Sequence, residues 1–142
     1  MNELENKLKS YYITAVLGVV FAIVGFSYNA WRMEVTEDNS NIRTAAFSVL
    51  TELAELEQII YAAHYDKDTV AGNPRKGWVK IGLIVDLSIL VSEPVNIASE
   101  RLKSIWSYQW QDIASDIEAT DKTIAEIDKV RAEIKQTLKS LD

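Results

Sequence analysis

Between Tyr11 and Trp31 the chain reads YYITAVLGVVFAIVGFSYNAW, without one charged side chain. As a helix rising about 1.5 Å per residue, this run is about 31 Å long and matches the hydrocarbon thickness of a bilayer. Neither side of such a helix is polar, which argues against a buried helix of a soluble protein. A cleaved leader peptide fits poorly, since Tyr28 and Ala30 would have to serve as its −3 and −1 residues. Tyr11 and Tyr12 at one end, and Tyr28 and Trp31 at the other, are rings of the kind that settle at membrane interfaces. The sequence therefore predicts an N-terminal tail over 1–10, a transmembrane helix over 11–31 and a helical extramembrane domain over 32–142.

Orientation follows from the flanking cations. Lys7, Lys9 and the amino terminus outweigh Arg32 and Arg43, which favours the N-terminus inside. The expected location is the cell (inner) membrane, single-pass as a signal-anchor, with the bulk of the chain extracytoplasmic.

Inside the run, Ala15, Gly18, Ala22, Gly25 and Asn29 recur at alternating steps of three and four. Small side chains on one face let two membrane helices approach closely, and Asn29 could hydrogen-bond across the contact. These five residues are the expected helix–helix contact in the membrane, although Ala and Gly are common in such helices in any case.

With only five Gly and two Pro in 142 residues, long stretches contain no helix breaker. An all-α fold is predicted. Ile42, Ala46, Val49, Leu53, Leu56, Ile60 and Ala63 alternate steps of four and three, which marks an amphipathic helix over about 40–65. That helix either continues the membrane helix or starts afresh near Asp38–Ser40, whose side chains could cap it. Glu52, Glu55 and Gln58 lie opposite its apolar face.

Residues 66–77 (DKDTVAGNPRKG) are expected to form an exposed loop, with Gly72, the Asn73–Pro74 step and Gly77 as turn residues. The short apolar segment 78–91 is ambiguous. Val79, Ile81, Leu83, Val85, Leu87, Ile89 and Val91 alternate as in a strand, whereas Leu83, Ile84, Leu87, Leu90 and Val91 mark one face of a helix. A strip packed on the helices is favoured, with strand pairing to another chain as the alternative. From Pro94 onward no Gly or Pro occurs, so 94–141 is either one long helix or a helical hairpin. The missing turn residues favour the long form slightly. A break, if present, is expected between Ser115 and Thr123, where Thr123–Glu126 reads as a capping box.

Net charge is −6 and no basic run exists, so nucleic acid is excluded as a partner. Cysteine is absent, which removes thiolate metal sites and cysteine nucleophiles. The single histidine, His64, with Asp66 and Asp68 nearby, could in principle accept a proton or hold a metal. A helix-end imidazole favoured by the helix dipole is the simpler reading. Glu52, Glu55 and Glu57 read as a solvated helix face, and Asp86 as a cap for the turn after it. No phosphate loop, nucleophile elbow or zinc motif is present. No catalytic, cofactor-binding or metal residue is expected, and the chain is not expected to be an enzyme.

Trp78, Trp106 and Trp110 are the remaining candidates, as core of the domain or as an anchor for a partner. Trp106 and Trp110 share a helix face, and Trp78 could close over them. The expectation is a non-catalytic, membrane-anchored helical accessory or scaffold subunit. It would use coiled-coil-like protein–protein contacts, either by self-association or with a membrane-protein partner. The alternative is an extracytoplasmic helical sensory or ligand-binding module.

Overall fold

A computed structural model of the chain describes residues 2–141. Among them are four α-helices and no strand: α1 (Asn2–His64), α2 (Pro74–Ser88), α3 (Glu93–Gln109) and α4 (Ile117–Ser140). By internal contacts the chain divides into two units, Met1–Asp38 and Asn39–Asp142, and α1 contributes to both.

The described residues of the first unit are all helical. Every residue from Glu3 to Asp38 is exposed, including Phe21 (73%) and Phe26 (76%). By length and composition α1 is long and apolar enough to cross a membrane. No break occurs near Asp38–Ser40, so the expected alternative of a fresh helix start is not realised. The hydroxyls there turn back on their own helix. Thr36 donates to the Arg32 carbonyl (2.8 Å) and Thr44 to that of Ser40 (2.9 Å), a bonding mode open to Ser and Thr inside helices.

The second unit is built around the apolar face of α1. Ala46, Val49, Leu53, Leu56 and Ile60 are fully buried, with Ile42 and Ala63 packed at the margins. Ile81 and Ile84 of α2, Val95, Leu102 and Trp106 of α3, and Ile127, Val130 and Ile134 of α4 complete the core.

Three boundaries differ from the expectations. Asn73–Pro74 starts a helix rather than making a turn: the Asn73 side chain accepts from Arg75 N (2.9 Å), and Pro74 fills the first helical position, where its missing N–H costs nothing. Gly77 thus lies inside α2, buried, and closes no loop. The segment 78–91 is helical to Ser88, and its buried positions are Ile81, Ile84, Val85 and Ser88. Val79 and Leu83 point outward (62% and 40% exposed), so the alternating series is not realised, while the expected helical face holds at Ile84, Leu87 and Val91 and fails at Leu83 and Leu90.

Residues 94–141 form two helices, not the uninterrupted one that the sequence slightly favours. The connection over 110–116 contains neither Gly nor Pro. Its restart signal is Asp116, whose carboxylate accepts from Glu118 N (3.0 Å). Thr123 is no cap. It is buried inside α4 and donates to the Ala119 carbonyl (2.9 Å).

Candidate functional site

Ala15, Gly18, Ala22, Gly25 and Asn29 all lie on the exposed α1 helix of the first unit. A Cβ added at Gly18 or Gly25 would meet nothing within 4 Å, so the space beside each glycine is open within the chain.

The tryptophans lie in the second unit. Trp106 is 1% exposed and belongs to the core. Trp78 stands edge-on to it, with ring centroids 6.3 Å apart and planes at 84°. That is a favourable geometry for two aromatic quadrupoles. Gly77 makes this packing possible, because any Cβ there would overlap the six-membered ring of Trp106. Trp110 is half-buried and packs against the same core. With Trp106, Ile59, Ala63 and Pro74 it lines a cavity of about 140 Å³. The indole Nε1 of Trp106 is buried and has no hydrogen-bond partner. Close approach of the loop to α1 forms the cavity's rim: a Cβ at Gly72 would strike the backbone of Ala63.

His64 is the last residue of α1 and acts at a distance in sequence. Its Nδ1 lies 2.7 Å from the carbonyl of Ile113 and 3.2 Å from Thr120 Oγ1, while Thr120 also donates to Ile113 O (3.0 Å). Lys67 donates to the next carbonyl, Ala114 (2.6 Å). Side chains from the end of α1 and the loop after it thereby bond carbonyls of the connection between α3 and α4. Asp68 serves its own turn, accepting from Val70 N (2.8 Å) and Ala71 N (2.9 Å), and these bonds hold its carboxyl below the usual range. Asp66 is exposed beside it. Among the described residues no group of three His, Cys, Asp or Glu side chains could hold a metal ion.

Glu52, Glu55 and Glu57 of α1 are not simply solvated. Glu52 pairs with Lys80 at 2.8 Å, Glu55 pairs with the same ammonium, and Glu57 pairs with Arg131 of α4. The Arg131 hydrogen bond, with a second from Tyr61, holds the Glu57 carboxyl below the usual range against the opposing effect of burial. The two glutamates hold the Lys80 ammonium above its usual value. Periodicity placed these residues on the wet side. It missed that they sit at the shoulders of the helix, where neighbouring helices carry one cation each. Asp86 is exposed on α2. The following turn is closed instead by Ser88, whose hydroxyl donates to Val85 O (2.6 Å) and to Asn96 Oδ1 (3.1 Å).

Compared with known proteins, the chain matches no family model, no curated protein and no solved structure.

Proposed function

We propose that this chain is a single-pass, membrane-anchored accessory or scaffold protein that works through protein–protein contacts and carries no catalytic centre. One observation carries the reading: from Tyr11 to Trp31 helix α1 is uncharged and exposed on every side. A helix so apolar all round is more stable in hydrocarbon than in water, and the backbone groups of a helix are already satisfied there. Residues 39–141 form a compact helical bundle. In the flanks, Lys7 and Lys9 support an orientation with the bundle outside the cytoplasm.

The test is extraction of native membranes with alkaline carbonate, combined with protease accessibility of the bundle from each side. The full-length chain stays in the pellet and yields to detergent, and the bundle is cut only from the outside. Recovery in the carbonate supernatant overturns the reading.

A second reading, a sensory or ligand-binding bundle, draws support from the cavity lined by Trp106 and Trp110. A small apolar molecule matches that lining. Quenching of tryptophan fluorescence on titration with such probes, lost in W110A, separates this reading from a purely structural cavity.

A further inference from the structure

We propose, resting on the membrane-anchored reading above, that the turn between α2 and α3 is a second membrane contact. Its tip, Ile89–Leu90, lies on the surface of the bilayer that α1 spans.

The turn stands at the end of the bundle where α1 enters it. Asn39, the first residue of the Asn39–Asp142 unit, donates its side-chain amide to the Leu141 carbonyl (3.3 Å). Ser92 and Thr137 are hydrogen-bonded through their hydroxyls (2.9 Å), which ties the turn to the last turns of α4. Leu90 lines an open groove with Asn41 and Thr44 of α1. The chain thus passes from the uncharged run into this unit beside the turn.

Ile89 and Leu90 are exposed at 64% and 62%. They are held outward rather than loose: Leu90 N donates to Leu87 O and Val91 N to Ser88 O (3.0 Å each), while Ser88 and Val91 are buried. From Leu87 to Ser92 no residue is charged. The reversals at the opposite end differ, one exposing Asp66, Lys67 and Asp68 and the other Asp112 and Asp116. A fixed pair of large aliphatic side chains with no charge between them is the kind of surface that enters a headgroup layer.

Charge selects the lipid. Asp86 and Glu93 flank the turn, both exposed, and the whole chain carries a net −6. An anionic surface would repel such a turn. The contact therefore suits zwitterionic phospholipid and depends on apolar insertion.

Reach sets a condition. In α1, Trp31 and Asn41 are separated by about 15 Å of helix. Headgroups fill about 5–8 Å of that. A tilt of about 20–40° toward α2, ordinary for membrane helices, lowers a neighbouring element about 10 Å from the α1 axis by a further ~4–10 Å. Two side chains alone would not hold a protein at a membrane. Tethered by α1, they remain beside the surface at high effective concentration, where a small apolar gain suffices.

The absence of cysteine permits a direct test. I89C, L90C, V70C and V20C are made singly in the full-length chain, given a nitroxide label, and reconstituted in phosphatidylcholine vesicles. Val70, exposed at 73% near the opposite end, controls for the label's own affinity for lipid. Helical content is checked by circular dichroism. Electron paramagnetic resonance then compares relaxation by oxygen, which concentrates in lipid, with relaxation by a water-soluble nickel chelate. The oxygen-to-nickel ratio at 89 and 90 is expected to be severalfold higher than at 70, and unchanged when phosphatidylglycerol is added. Ratios at 89 and 90 no higher than at 70 overturn the contact. A rise that needs phosphatidylglycerol overturns apolar insertion. Position 20 reads the anchor separately: a label in lipid there and in water at 89 and 90 defeats the second contact alone, whereas a label in water at 20 defeats the anchor.

Discussion

Trp106 and Gly77 depend on each other. The ring of Trp106 occupies the space that a side chain at 77 would need, and Trp78 then closes edge-on over it. W106A is expected to cost about 3–5 kcal/mol, because it empties a fully buried site. G77A is expected to cost about 1–3 kcal/mol by overpacking the same site. Urea denaturation of the full-length chain in detergent checks both. The Glu57–Arg131 pair makes a pH-dependent contribution of definite sign. Because the folded-state pKa of Glu57 lies below its ordinary 4.5, the contribution is complete above that value and is lost as pH falls through the depressed one. E57Q is expected to be about 1 kcal/mol less stable than the wild type near neutral pH, with the gap closing in acid. A gap that persists unchanged well below pH 4.5 contradicts this. The residue types involved were legible in the sequence, where Trp78 was read as able to close over Trp106. The partner of Glu57 was not, because Arg131 lies on α4 and no periodicity within α1 points to it.

Two elements were written in the sequence by different signals. The apolar series Ile42 to Ala63 defined one side of α1, and those residues form the wall of the core. The start of α2 carries Asn73 followed by Pro74, a pair that reads as a turn or as a helix start, and only the packed helix beyond it selects the second. The α3–α4 connection has almost no local signature. Trp110 and Ile113 pack into the core, while His64, Thr120 and Lys67 bond the Ile113 and Ala114 carbonyls. Chain reversal there is thus stabilised by groups distant in sequence. H64A is expected to cost about 1 kcal/mol, since Thr120 still donates to Ile113. It should also raise amide hydrogen exchange in 110–116 ahead of the rest of the bundle. D116A removes the α4 N-cap and is expected to cost about 1 kcal/mol without that local signature. Exchange measurements on both variants distinguish the two effects.

For the whole molecule, the membrane reading stands on the run 11–31, and a single charge at its centre tests it. V20D is expected to disfavour insertion by about 3 kcal/mol and to shift the chain out of the carbonate-resistant pellet, while the bundle keeps its helicity. What the sequence determined by itself is whatever depends on neighbours along one helix: the charge-free run, the absence of breakers, the core face of α1 and the all-helical character. Transfer energetics and helical periodicity act locally, so they can be read residue by residue. Tertiary structure decided the rest: the fold-back between α3 and α4, the inward face of α2, and the pairing of the shoulder carboxylates. Each of these sets a local preference against contacts between residues far apart in the chain, and the closed core supplied the larger stabilisation.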